Sequence, residues 1–189
     1  MFIRIALVIS LCLIFSLHAA AQKDKPVAAP AKKVLGPAPS KIAAGKCGPN
    51  KLTMTEISDL VAAHDKVRKE VKIGPLTWDC RLADMAQEWA NKGKFAHREF
   101  AMEGENLFVS SNGAEPVSTV IAQWFREKDY WNNATLVCLP GKFCTHYTQM
   151  VWKKTTHVGC GINRNAPGKW KVLVVCNYSP AGNDGGAPY

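Results

Sequence analysis

The sequence predicts an α+β domain in which an antiparallel sheet is covered by helices. Apolar residues recur at helical spacing through the middle of the chain, whereas the C-terminal third turns to short runs rich in β-branched and aromatic residues. A third observation says how such a domain is held. After an N-terminal export signal come six cysteines, Cys47, Cys80, Cys138, Cys144, Cys160 and Cys176, and an even count in an oxidising compartment reads as three disulfides.

The export signal occupies residues 1–21. Arg4 supplies its positive start, Ile5 to Leu17 its apolar run and Ala19-Ala20-Ala21 its cleavage site, so the mature chain is expected to begin near Gln22. The apolar run is too short for a membrane span of about 20 residues. Residues 22–46 follow as a linker: Lys23, Lys25, Lys32, Lys33, Lys41 and Lys46 stand against Asp24 alone, among alanines and Pro26, Pro30, Pro37 and Pro39. This stretch holds most of the chain's net charge of +9. It reads as a solvated spacer able to make weak contact with an anionic cell surface. Nucleic acid is not an expected partner, because export removes it and no aromatic and basic residues interleave as a binding sheet requires.

The compact domain is expected over residues 47–189, one domain's worth of chain that needs no metal or partner to fold. Thr53 and Glu56 form a capping box with Leu52 as staple, and Ile57, Leu60, Val61, His64, Val67 and Val71 follow on one helical face. That helix should stop near Gly74-Pro75. A second is predicted from about Arg81 to Asn91, with Leu82, Met85, Ala86 and Trp89 on one face and Gly93 beyond its end. A third begins around Pro116 and carries Val117, Val120, Ile121, Trp124 and Phe125, with Glu127 at the edge of its apolar face. Strands are predicted at His146 to Trp152, Thr156 to Asn163 and Trp170 to Tyr178, the last two joined by Asn165-Ala-Pro-Gly168. A turn centred near Ala166 and Pro167 sets Cys160 opposite about residue 173, so bridging Cys160 to Cys176 requires a bulge or another register.

Several stretches together resemble the CAP superfamily of cysteine-rich secretory proteins, insect venom antigen 5 and plant pathogenesis-related class 1 proteins, most closely the last. They are Leu60-Val-Ala-Ala-His64 with Arg68, Gly74-Pro-Leu-Thr-Trp78, Gly104-Glu-Asn-Leu107, Gln123-Trp-Phe-Arg-Glu127, His146-Tyr-Thr-Gln-Met-Val-Trp152 and Leu173-Val-Val-Cys-Asn-Tyr-Ser-Pro-Ala-Gly-Asn183. The resemblance implies an α-β-α sandwich with a central antiparallel sheet. It also implies a cleft tetrad of His97, Glu105, Glu127 and His146. Two imidazoles and two carboxylates suit a divalent cation such as zinc, with His97 and His146 as direct ligands and the glutamates orienting them or a water. The alternative is a hydrogen-bonded network that organises the cleft. No cofactor is required by either reading.

Family members are associated with sterols, fatty acids and other small apolar ligands. The segment after the third helix, Tyr130-Trp131 followed by Leu136, Val137, Leu139 and Phe143, is unusually apolar for a loop and resembles in position the family's sterol-associated loop. A non-enzymatic, monomeric binder in defence or host interaction is therefore the expectation. A zinc-dependent hydrolase or peptidase is the rival, although no HExxH, no Gly-x-Ser-x-Gly and no free thiol is present; a protein-interacting secreted effector is the third class. By resemblance, Cys138 pairs with Cys144 and Cys160 with Cys176. The remaining plant bridge has no counterpart at Lys94-Phe95-Ala96, which leaves Cys47 with Cys80 as a new bridge. Thr145 departs from the family's usual residue before the histidine. The stretch from Pro180 to Tyr189 resembles the segment from which plants release a signalling peptide, an ordered tail being the alternative.

Overall fold

A computed structural model describes residues 47–189. The predicted signal and the linker lie outside the described residues.

The described chain runs α1 (Met54–Glu70), β1 (Thr77–Trp78), α2 (Cys80–Asn91), β2 (Gly104–Ser110), α3 (Val117–Arg126), a 3-10 turn (Glu127–Tyr130), β3 (Trp131–Asn132), β4 (Val137–Cys138), α4 (Thr145–Met150), β5 (His157–Asn163) and β6 (Val172–Ser179). Thr53 caps α1 and Glu56 reaches back to it, completing the capping box. Pro116 stands at the start of α3.

The main sheet has the order β1-β5-β6-β2. The β5-β6 and β6-β2 ladders are antiparallel, but β1 joins β5 in parallel, so the sheet is mixed at one edge. Alternation along β5 and β6 sends Val158, Cys160, Ile162, Val172, Val174, Cys176 and Tyr178 into the larger core with α1, α3 and α4. Leu173, Val175 and Leu107 go to the opposite face, where α2 places Ala86 and Ala90. The result is the three-layer α-β-α sandwich.

One predicted element is corrected, and one strand went unpredicted. His146 to Trp152 is not a strand: its first part is α4, with Tyr147, Thr148, Gln149 and Met150 all buried. Local β propensity yields there to tertiary burial and to a cap supplied by a distant side chain. The Gly104-Glu-Asn-Leu107 motif opens the edge strand β2, whose alternation is masked because Asn106, Leu107 and Phe108 are consecutively buried.

All three disulfides are present: Cys47–Cys80, Cys138–Cys144 and Cys160–Cys176. Cys160 faces Cys176 directly, because the β5-β6 connection is centred on Gly168, in left-handed conformation at φ 78°, and not on Ala166 and Pro167. The chain end is ordered: Pro188 is buried, its carbonyl accepts from the Lys153 amide at 2.6 Å, and Tyr189 packs against the core.

The α2 layer sits on β5 at backbone distance. A Cβ at Gly159 would lie 2.2 Å from the Ala83 nitrogen, and one at Gly161 would lie 2.4 Å from Gln87 backbone atoms. Side chains complete the seam: Gln87 donates to the Ile162 carbonyl at 2.9 Å, Asn163 to that of Ala90 at 3.0 Å and Asn177 to that of Leu82 at 3.2 Å.

On the other face two polar side chains are fully buried. Arg68 collects carbonyls from Gly74, Met150, Trp152 and Thr155 at 2.6–3.0 Å, tying α1 to the end of α4. His64 donates through Nδ1 to the Leu60 carbonyl at 2.8 Å and accepts the Tyr178 hydroxyl at Nε2, 2.9 Å away. Burial, reinforced by the Arg68 charge, pushes its pKa from 6.5 to about 4.

Gly161→Ala forces one of two packed backbones to move and should cost about 2–3 kcal/mol in guanidinium unfolding. Gly113→Ala, whose Cβ would meet only a Lys171 carbon at 3.8 Å, should leave the midpoint in place. The His64 shift predicts an acid-labile fold. The unfolded chain takes up the His64 proton near pH 6.5 and the folded chain only near pH 4, so stability falls as pH drops through that window. The loss approaches about 3 kcal/mol at the lower end. Urea unfolding at pH 7 and pH 4 measures it, and His64→Gln should remove that part of the pH dependence.

Candidate functional site

The four tetrad residues form two separate pairs, His97 with Glu105 and His146 with Glu127. Glu105, on β2, accepts the His97 Nδ1 proton at 2.9 Å through Oε1. The same oxygen takes the Arg98 backbone N–H at 3.0 Å, while Oε2 takes the Arg98 guanidinium at 3.0 Å. Arg98 also reaches Glu103 and the Asn177 side chain, at 3.4 and 3.3 Å. Glu105 is nearly enclosed, whereas the His97 side chain is 64% exposed.

In the second pair, Glu127 at the end of α3 accepts the His146 Nδ1 proton at 2.6 Å through Oε1. Its Oε2 accepts the backbone N–H groups of His146 and Tyr147 at 3.0 and 3.2 Å. These are amides of the first turn of α4, which Cys144 leaves without a side-chain cap. Glu127 is thus the cap of α4, with its negative charge at the helix N-terminus. The Trp124 ring lies against the His146 imidazole, 5.7 Å between centroids and 15° from parallel.

The pairs meet β2 from its two faces. Glu105 and Asn106 are consecutive and point oppositely. The Asn106 amide donates to the His146 carbonyl at 3.1 Å and to the Tyr178 hydroxyl at 3.3 Å. Gly104, just before them, admits no side chain: a Cβ would fall 2.0 Å from the Gln149 amide oxygen, which accepts the Gly182 N–H at 2.9 Å.

Sequence reasoning missed Arg98, Asn106, Trp124 and Gln149. Arg98 carried a signal, since it directly follows His97. Trp124 read as part of an apolar helical stripe, and Asn106 and Gln149 stood only within motifs; they become part of the site through the register of β2 and the approach of α4.

Both carboxylates are anchored through three hydrogen bonds each, Glu105 by His97 and Arg98 and Glu127 by His146 and Tyr147. Each imidazole has Nδ1 engaged by a carboxylate and keeps Nε2 for another partner, an arrangement that also orients metal-bound histidines. Two such nitrogens fall short of the three protein ligands of catalytic zinc. Among the described residues no three His, Cys, Asp or Glu side chains are grouped to hold a metal ion.

The apolar loop is a β3-β4 hairpin, its end closed by Cys138–Cys144. Leu136, Val137, Leu139 and Phe143 are exposed, Phe143 to 78%. Trp131 is different. It is half-buried against the larger core, so it belongs to the loop's footing and not to its free surface. Tyr130 is half-buried under Lys142, whose Nζ lies 4.9 Å from the ring, and its carbonyl accepts the Leu139 N–H at 2.8 Å.

Residues 61–178 match the Cysteine-rich secretory protein family, CAP. The chain belongs to the CAP family. It is 37% identical over 136 residues to a pathogenesis-related protein PR-1 type of Sambucus nigra, covering 69% of this chain and 80% of that protein. To peptidase inhibitor 16 of Mus musculus it is 35% identical over 150 residues, covering 73% of this chain and 30% of that protein. Among solved structures it resembles Schistosoma mansoni venom allergen-like protein 4, with TM-score 0.60 and 27% identity over 73% of this chain and 95% of that one. It also resembles a CAP-fold crystal structure with Zn2+, at TM-score 0.63 and 25% identity over 76% of this chain and 90% of that one.

Because Glu127 caps α4 as well as orienting His146, Glu127→Gln sets an amide N–H against either the imidazole or two helix amides. It should destabilise the fold by about 1–3 kcal/mol in urea. An unchanged midpoint would mean the carboxylate has no such structural part.

Proposed function

We propose that this chain is an exported CAP-domain protein that binds a sterol, a fatty acid or another small apolar ligand without catalysis, in defence or host interaction. The observation that carries this reading is the disulfide-closed hairpin presenting Leu136, Val137, Leu139 and Phe143 to solvent. Exposed apolar side chains grouped on one short segment mark a binding surface. Export is supported by three disulfides, which persist in oxidising compartments. The pathogenesis-related names of several relatives support the defence role.

Catalysis is disfavoured because Glu105 and Glu127, the two candidate bases, are both committed to anchoring. Zinc enters the reading as a modulator and not as a requirement. His97 and His146 would offer Nε2, with the glutamates behind them holding the rings, and a similar protein has been solved with Zn2+. The chain acts as a monomer in this reading, the lysine-rich 22–46 stretch adding weak contact with anionic surfaces.

Native mass spectrometry of protein purified from its source is the test. Retained sterol or fatty acid is the expected result. Stoichiometric zinc accompanied by peptide hydrolysis would replace the reading by the hydrolase, and neither ligand nor metal would favour a protein-interacting effector. Leu139→Ser with Phe143→Ser should abolish retention while leaving the melting temperature nearly unchanged, since both side chains are already in water. Trp131→Ala, by contrast, should lower the melting temperature.

A further inference from the structure

The segment between α2 and β2 carries the most exposed large apolar side chains of the described residues. Phe100 is 98% exposed, Met102 87% and Phe95 54%. The segment is nevertheless fastened at its base. Trp89 donates to the Ala96 carbonyl at 2.8 Å, Arg98 holds Glu105 and Glu103, and Arg81 holds Glu103 at 2.9 Å. Phe100 itself sits in left-handed conformation at φ 55°, uncommon for a bulky residue, and its ring is turned into solvent.

Lysines stand around this tip. Lys92 lies 4.5 Å over the Trp89 ring, and Lys169 lies 4.5 Å over Trp170, which meets Phe95 edge-on at 6.4 Å. Lys94 lines the same open cavity of about 840 Å3 as Trp89, Phe100 and Met102. Glu103 and Glu105 are matched by Arg81 and Arg98, so Glu88 and Glu99 remain against Lys92, Lys94 and Lys169, a small excess of positive charge.

We propose that this face, with Phe100 and Met102 at its tip and the lysines around them, docks on the anionic surface of a lipid bilayer. A bilayer interface takes such a set in layers, apolar tips entering the acyl boundary while aromatic rings and lysines remain at the headgroups. A small ligand held in the cavity would leave the tip of Phe100 in water. The face does not include the apolar loop of residues 130–144, and the inference does not depend on the ligand proposed for that loop.

The test is co-sedimentation of the full chain with vesicles of phosphatidylcholine alone and with about 30% phosphatidylserine, at about 0.15 M salt. Wild-type protein should sediment with the anionic vesicles and not with the neutral ones. Phe100→Glu with Met102→Glu should weaken this binding about tenfold or more, with an unchanged melting temperature. Lys94→Glu with Lys169→Glu should weaken it comparably with the apolar tip intact, so the proposal stays testable should the first variant fold poorly. Wild-type protein that stays in solution overturns the proposal. So does equal sedimentation of wild type and both variants, which would assign the binding to another surface such as the lysine-rich 22–46 stretch.

Discussion

The contact on which the rest of the structure depends is the one between α2 and β5, where helix backbone meets strand backbone across Gly159 and Gly161. No side chain fills the gap, so the layer spacing is set by main-chain atoms, and the amides of Gln87, Asn163 and Asn177 satisfy polar groups that such closeness would otherwise bury unpaired. Cys47–Cys80 pins the start of α2 over this seat. Once α2 is placed, the segment leaving its end has a fixed origin. That segment delivers His97 and Arg98 to Glu105 on the far edge strand.

The four polar residues that suggest chemistry are first of all structural. Glu127 is both a ring orienter and a helix cap, and Glu105 is both a ring orienter and the counter-charge of Arg98. A carboxylate committed in this way fixes the tautomer and orientation of the imidazole it holds. The arrangement therefore presents two imidazoles with defined orientation and little else reactive.

Much of this was legible in the chain because the signals were local. The Thr53 and Glu56 capping box, the apolar periodicity of α2 and Pro116 at the head of α3 each act within a few residues, and each element lies where its signal put it, although α2 buries Leu82, Ala83, Ala86 and Ala90 and leaves the expected Met85 and Trp89 half-exposed. What failed to show was decided at a distance. The α4 helix lacks a cap in its own neighbourhood and takes one from Glu127, so its Tyr, Thr and Trp content read as a strand. The edge strand β2 hides behind three consecutive buried residues. The two-residue β1 is too short for any periodicity, yet its parallel pairing with β5 makes the sheet mixed. Two of the disulfide pairs came from resemblance and Cys47–Cys80 from the two cysteines left over, while the turn position assumed for the β5-β6 hairpin gave the wrong register for Cys160.

The two exposed apolar segments share one property that bears on why the domain would keep them. Neither is loose chain: the hairpin is closed by Cys138–Cys144 and footed by Trp131 in the core, and the 92–103 segment is tied down by Trp89 and by the Arg98 ion pairs. Exposed apolar side chains on a floppy loop can fold back on the surface, and the ordering cost of extending them then cancels much of their binding gain. Here the backbone under Phe100 and around Phe143 is ordered before any partner arrives, so that cost has been met by the fold. Rigidly presented apolar groups gain nothing for the isolated domain and raise its tendency to associate, which fits surfaces meant to be covered and not surfaces left over from folding.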